Sequence, residues 1–155
     1  MKTFQQVRDV LSHVSRIRSR LRELTEQCLE DTNDQLLATY LERAKAHDDF
    51  MQLCLADEVD KASPAALDTY IQFPDVQTLD DELDGMVEGD LDDARAMLDR
   101  LVAVDKRILA LYDRVLEQSE SRAVRDLIER LRLMEEQKAR AKGWEQVELR
   151  DLKSY

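Results

Sequence analysis

Apolar residues recur every three or four positions along four stretches of the chain, and this spacing is typical of one face of an α-helix. The first stretch runs from Phe4 to Cys28 and the second from Leu37 to Leu55. The polar segment EDTND separates the first stretch from the second, and QSES separates the third from the fourth. The pattern therefore predicts two helical hairpins. The four stretches predict helices over about residues 3–30, 34–62, 90–118 and 121–142.

The three glycines and two prolines of the chain all lie between the hairpins or after the second one. They mark a connection over residues 64–89 and a tail over residues 143–155. Within the connection, the segment SPAALDTYIQF predicts a short helix. A connection of this length can cross from one end of a bundle to the other. At 155 residues, one domain over residues 1–155 is expected, with an all-α fold built as a four-helix bundle.

Charge limits the classes of partner. The formal net charge is −11 at pH 7, which opposes binding to nucleic acid or to an anionic membrane surface. No apolar run approaches the length of a membrane span, and the N-terminus lacks an apolar signal segment, so we expect a cytoplasmic protein. Neither a glycine-rich phosphate loop nor a nucleophile motif is present, which favours a protein that is not an enzyme.

The connection is strongly acidic. Asp80, Glu82 and Asp84 are spaced like the first ligands of a calcium loop, but Leu91 stands where a bidentate glutamate is needed. We therefore interpret this segment as a turn into the third helix, capped by Asp90. An adaptor that binds a protein partner through this acidic segment is a further hypothesis.

Four ionisable residues interrupt the apolar faces of the helices: His47, Asp105, Glu135 and Lys138. Counted from the turns of the two hairpins, they lie near the middle of the bundle. A buried charge is costly unless it is paired, so these positions are the candidates for a site. The plainer alternatives are a hydrogen-bonded core histidine and an Asp105 that turns outward to pair with Lys106 or another base.

The segment VAVDKRILALYDRVLEQSESRAVRDLIERLRLMEEQKAR resembles the second helical pair of ferritin-like, rubrerythrin-related proteins. In that family an acid is followed seven residues later by tyrosine, as Asp105 is by Tyr112. The last helix of the family carries Glu-x-x-His. Glu135 matches the glutamate of that motif, but Lys138 stands where the histidine belongs. The resemblance implies a ferritin-like bundle with one long crossover.

The first helical pair also departs from the family pattern. The segment TYLERAKAHDDFM places His47 at the histidine position, but Ala44 stands where the glutamate belongs. The first helix has no acid on its apolar face near Ile17. A di-iron site needs about four carboxylates and two imidazoles, so the resemblance implies a degenerate set of di-iron ligands.

Two functional hypotheses follow from these departures. The first is a non-catalytic scaffold or protein-interaction protein that needs no cofactor, in which an ion-pair cluster with Lys138 as its base replaces the di-iron site. The alternative is a metal-binding or redox protein that holds iron or manganese with His47, Asp105 and Glu135, with Glu42 or Glu58 nearby.

Interaction surfaces are harder to predict. The segment RIRSRLR, from Arg16 to Arg22, is interpreted as a solvated helix face, with a docking surface for an acidic partner as the alternative. Several leucines lie at the edges of the apolar faces, where they either widen the core or form the surface of a homo-oligomer, most simply a dimer. These residues are Leu29, Leu36, Leu53, Leu109 and Leu116.

Overall fold

The computed structural model describes residues 3–73 and 94–153, and these residues are predominantly helical. This confirms the all-α prediction at the level of fold class. In chain order, the elements are β1 (Thr3–Gln6), α1 (Val7–Asp31), α2 (Gln35–Lys61), α3 (Pro64–Leu67), β2 (Tyr70–Phe73), α4 (Ala94–Gln118) and α5 (Arg122–Lys153).

The two short strands correct the sequence-based prediction at residues 3–6 and 70–73, where helix was expected. β1 and β2 pair antiparallel, with Thr3 opposite Phe73 and Gln6 opposite Tyr70. Side chains alternate across a strand, so Ile71 is buried while its neighbour Tyr70 is exposed. Burial of Ile71 and the backbone pairing explain why this segment leaves the helical conformation after one short turn.

Local side chains determine where α2 and α3 begin. The carboxylate of Asp34 accepts hydrogen bonds from the backbone N–H groups of Leu36 and Leu37, which satisfies two donors at the start of α2. Ser63 Oγ accepts one from the backbone N–H of Ala66, and Pro64 occupies the first turn of α3.

The end of the last helix also differs from the prediction. The predicted helix ends near residue 142 and is followed by a tail, but α5 continues through Gly143 to Lys153. One glycine lowers helix stability by about 1 kcal/mol, and the surrounding Ala, Lys, Glu, Arg and Leu residues favour helix. Most of the predicted crossover, the calcium-like segment and the predicted start of the third helix at residue 90 lie outside the described residues.

Contacts with the two-stranded ribbon define the directions of the helices. Pairing of β1 with β2 places the start of α1 and the end of α2 at the same end of the molecule. The backbone N–H of Gln72 donates to the side-chain oxygen of Gln118 at 2.7 Å, so α4 also ends there. Consequently, α4 runs parallel to α2 and antiparallel to α1, and α5 starts from this same end.

One apolar core lies between the four long helices. Its members come from α1, α2, α4 and α5, and Leu67 and Ile71 extend it towards the ribbon. Near the middle of this core, charged side chains are also fully buried. Within the described residues, no helix combines the length and the hydropathy that a membrane span requires.

Candidate functional site

A buried arginine lies at the centre of the four long helices. Arg18 comes from the middle of α1, and its side chain is only 2% exposed. Its guanidinium contacts one carboxylate from each of the other three long helices, namely Asp48 in α2, Asp105 in α4 and Glu135 in α5. We call these four residues the Arg18 cluster.

The hydrogen bonds in the cluster divide unequally between the two terminal nitrogens of Arg18. Nη1 donates to Asp48 Oδ1 at 2.9 Å and to Asp105 Oδ1 at 2.7 Å. Nη2 donates to Glu135 Oε2. Two carboxylates from α2 and α4 therefore share one nitrogen, while the carboxylate from α5 binds the other.

Burial and charge act in opposite directions on Arg18. Burial lowers its pKa, because removal from water disfavours the charged form. The negative charges of Asp105, Glu135 and Asp48, in that order, raise the pKa and outweigh the effect of burial. The resulting pKa lies well above the ordinary value for arginine, so the guanidinium stays charged at any pH at which the protein is folded.

Tyr112 is buried beside the cluster. Burial raises the pKa of Tyr112, the charge of Glu135 raises it further, and Arg18 opposes both effects. The phenol therefore stays neutral even in alkaline solution. The sequence motif that paired Tyr112 with Asp105 thus corresponds to two side chains buried on the same helix.

The structure brings together part of the site predicted from the sequence. Asp105 and Glu135 both lie in the Arg18 cluster. His47 is half-buried, and the carboxylate that α2 supplies to Arg18 comes from the next residue, Asp48. Of the two acids expected near the site, Glu42 is exposed, whereas Glu58 accepts a hydrogen bond from Arg130 at 3.0 Å.

The sequence-based hypothesis required Lys138 to be the base of the cluster. In the structure Lys138 lies elsewhere. Its Nζ lies 4.7 Å from the centroid of the Phe50 ring, a distance at which a cation is attracted to an aromatic face. Phe50 lies on α2 and Lys138 on α5, so this contact joins the two helices at their outer edge. The structure therefore places Asp105 and Glu135 around Arg18, and Lys138 lies outside this buried group.

The helical spacing of Arg18 with apolar residues indicates that it lies on the buried face of α1, although an arginine is normally expected at the surface. Leu11, Arg18 and Thr25 are spaced by seven, and Arg18 also lies four residues after Val14 and three before Leu21. All five of these side chains are buried. The solvated-face interpretation applied to the arginines of the segment RIRSRLR, and Arg18 is the one among them that points into the core.

The other arginines of that segment do lie on the surface. Arg22 Nε pairs with Asp49 Oδ1 at 2.6 Å, and Arg22 is 44% exposed. Arg16 contacts His13 Nδ1 at 2.7 Å and is also exposed. The solvated-face interpretation therefore holds for Arg16 and Arg22.

The residues present do not fit the di-iron centre that the ferritin-like resemblance implies. A guanidinium occupies the point on which the three carboxylates converge, and its positive charge would repel a dication placed there. Across residues 3–73 and 94–153, no group of three or more His, Cys, Asp or Glu side chains is arranged to hold a metal ion. The arrangement can neutralise charge and join helices, and it presents no open coordination position.

Large apolar side chains are exposed on the outer faces of α2 and α5. Leu53 is 71% exposed, Leu133 57% and Phe50 51%. Of the other leucines predicted for a dimer surface, Leu36 is exposed, and Leu29 packs against the core. Both helices therefore carry large apolar side chains on the outside of the bundle.

Comparison with models of protein families, with curated proteins and with solved structures gives no significant match to this chain. The ferritin-like resemblance remains a prediction from residue spacings. We therefore infer the function from the geometry of the Arg18 cluster.

Proposed function

We propose that the protein is a non-catalytic scaffold or protein-interaction protein with a ferritin-like four-helix bundle, in which the Arg18 cluster replaces a di-iron site. The observation that carries the proposal is the position of the Arg18 guanidinium among three carboxylates from three other helices. A ferritin-like site would require a metal ion at a comparable convergence of carboxylates.

The directions of the helices support the ferritin-like topology. In bundles of this type, the second helix is followed by one long connection, and the third helix runs parallel to the second. Here β2 and the end of α4 meet at one end of the molecule, and α4 runs parallel to α2. A plain up-down-up-down bundle would instead require α4 to run antiparallel to α2.

The chemistry of the cluster supports a structural role. A guanidinium has no accessible redox state and remains charged, so it cannot replace iron in electron transfer or oxygen chemistry. The acids that could bind a metal instead accept hydrogen bonds from Arg18. A buried ion pair of this kind connects helices at defined positions and leaves no open coordination position.

The alternative function, metal binding or redox chemistry at His47, Asp105 and Glu135, would require Arg18 to move away from two of those acids. Metal analysis distinguishes the two functions. We expect protein purified from cells supplied with iron or manganese to contain far less than one metal ion per chain. Stoichiometric metal that is lost on Glu135→Ala and on His47→Ala, but kept on the surface substitution Glu129→Ala, would overturn the scaffold proposal.

The interaction part of the proposal concerns the exposed side chains of Phe50, Leu53 and Leu133. We propose that a second copy of the chain covers this surface, in a cytoplasmic homodimer. A different protein partner is the other outcome that the test in the Discussion distinguishes.

A further inference from the structure

The two-stranded ribbon leaves backbone groups of β1 pointing outward. The N–H of Val7 donates to the carbonyl of Thr69 at 2.9 Å, so these two residues continue the antiparallel ladder as a hydrogen-bonded pair. Such pairs alternate with pairs whose N–H and C=O groups point away from the partner strand. Phe4 lies three residues before Val7 and opposite Gln72, so it belongs to a pair of the second kind. Its N–H and C=O therefore point away from β2.

The neighbouring outward groups are bonded, whereas those of Phe4 are open. The N–H of Gln72 donates to the side-chain oxygen of Gln118, at the end of α4, at 2.7 Å. The N–H of Gln6 donates to Asp9 Oδ2 at 3.3 Å, and the C=O of Gln6, as the N-cap, accepts the first backbone hydrogen bond of α1. Within residues 3–73 and 94–153, no partner meets the N–H or the C=O of Phe4.

The side chains along this edge are uncharged. β1 and β2 have the sequences TFQQ and YIQF, although 37% of the chain is charged. Natural proteins commonly protect a strand edge with charged side chains or proline, because an open edge pairs with another strand. Phe4 is instead 63% exposed, and Tyr70, on the same face of the ribbon, is 66% exposed. The edge thus combines open backbone groups with exposed aromatic side chains.

We propose that β1 pairs antiparallel with β1 of a second copy of the chain, with Phe4 of each copy beside the two-fold axis. The N–H of Phe4 then donates to the C=O of Phe4 of the partner subunit, and the reverse bond completes the pair. The two ribbons join into one antiparallel sheet. Directly opposite residues of an antiparallel pair bring their side chains together, so the two exposed rings cover each other.

The length of the open edge favours a second copy as the occupant. In the described part of β1, one residue offers an outward donor and acceptor, since those of Gln6 are used at the start of α1. A peptide from another protein gains affinity by extending the ladder, which α1 prevents on the C-terminal side of Phe4. A two-fold pair, in contrast, is complete with one residue from each copy. The net charge of −11 on each copy also favours contact through the uncharged ribbon.

This interface goes beyond the proposed dimer surface of Phe50, Leu53 and Leu133, which lies on α2 and α5. It supplies one pair of backbone hydrogen bonds and two aromatic side chains, and contacts of this size are weak. We therefore expect ribbon pairing at protein concentrations above those at which the α2–α5 dimer forms. The variant Leu53→Lys should remove the α2–α5 dimer and leave ribbon pairing intact, so the two interfaces can fail independently.

Hydrogen exchange measured by NMR tests the proposal at one amide. The N–H of Phe4 should exchange quickly in dilute Leu53→Lys protein, and its exchange should slow in proportion to the loss of unpaired chains as the concentration rises. The control is the N–H of Gln72, which bonds to Gln118 within one chain, so its exchange should depend little on concentration.

Substitution of Phe4 tests the same contact in sedimentation. Phe4→Pro removes the outward N–H, which β1 does not use to pair with β2, and it should abolish the association of Leu53→Lys protein at high concentration. Tyr70→Ala removes the exposed aromatic side chain of β2 and should leave that association unchanged. Circular dichroism checks that each variant folds.

Two results would overturn the proposal. One is exchange at Phe4 that stays fast and independent of concentration, which would leave the edge without a second copy. The other is an association of Leu53→Lys protein that survives Phe4→Pro. If Phe4→Pro does not fold, the exchange measurement still decides, because it needs no substitution at the ribbon.

Discussion

Replacing Arg18 with methionine removes the only base of the Arg18 cluster and leaves three acids in the core. Methionine is unbranched and apolar, so it fills part of the same volume without donating a hydrogen bond. The variant therefore separates the charge of Arg18 from its packing, because the side chain is buried and makes no solvent contact of consequence.

The expected loss of stability follows from the contacts. Arg18 donates hydrogen bonds to three charged acceptors, each worth about 1.5–3 kcal/mol, although such values do not add in a shared network. Removing one partner from a buried ion pair costs about 3–5 kcal/mol, because the remaining charge is left uncompensated. We therefore expect Arg18→Met to lower the free energy of unfolding by about 3–5 kcal/mol, out of a total of about 5–15 kcal/mol for a typical domain.

Urea denaturation followed by circular dichroism measures this loss. The matched control is Arg22→Met on the same helix, which removes a surface ion pair with Asp49 and should cost less than about 1 kcal/mol. A loss for Arg18→Met no larger than that for Arg22→Met would refute the assignment of a buried, stabilising guanidinium.

Three further predictions concern the buried phenol of Tyr112, the charges of the Arg18 cluster and the exposed apolar side chains of α2 and α5. Burial raises the pKa of Tyr112 above its value in the unfolded chain, so stability is full below about pH 10 and falls by up to about 1.4 kcal/mol per pH unit above it. In urea denaturation, Tyr112→Phe should weaken this loss of stability at alkaline pH, whereas Tyr70→Phe, at an exposed tyrosine, should not. Equal slopes of stability against pH in the wild type and both variants would show that burial of the Tyr112 phenol does not cause the loss. Replacing all four residues of the Arg18 cluster with apolar residues of similar size should cost little stability or stabilise the fold by about 1–4 kcal/mol. A loss of stability as large as that of Arg18→Met would show that lost packing, rather than uncompensated charge, destabilises the Arg18→Met variant. Sedimentation should show a dimer that dissociates on Leu53→Lys or Leu133→Lys; a wild-type monomer would refute self-association and leave a different partner for this surface.

The sequence predicted the long helices because their apolar periodicity is a local signal that extends over many turns. It did not predict β1 and β2, since each strand has four residues and its partner lies more than sixty residues away. The candidate site was partly predicted: Asp105 and Glu135 were found, whereas His47 was chosen in place of Asp48. One residue rotates a helical side chain by about 100°, and Asp48 continues the core face from Ala44 to Met51 better than His47 does.

The Arg18 cluster takes one side chain from each of the four long helices, which an apolar core of the same volume would not require. Apolar side chains tolerate small sliding movements of one helix along another, because their contacts are not directional. The hydrogen bonds of Arg18 are directional and span α1, α2, α4 and α5, so a shift of any helix by one turn would separate a charge from its partner in the core. The uncompensated charge would then cost more than the apolar contacts could recover. On this reasoning, the cluster contributes more to the alignment of the helices than to net stability, which is the property that a scaffold with a defined outer surface requires.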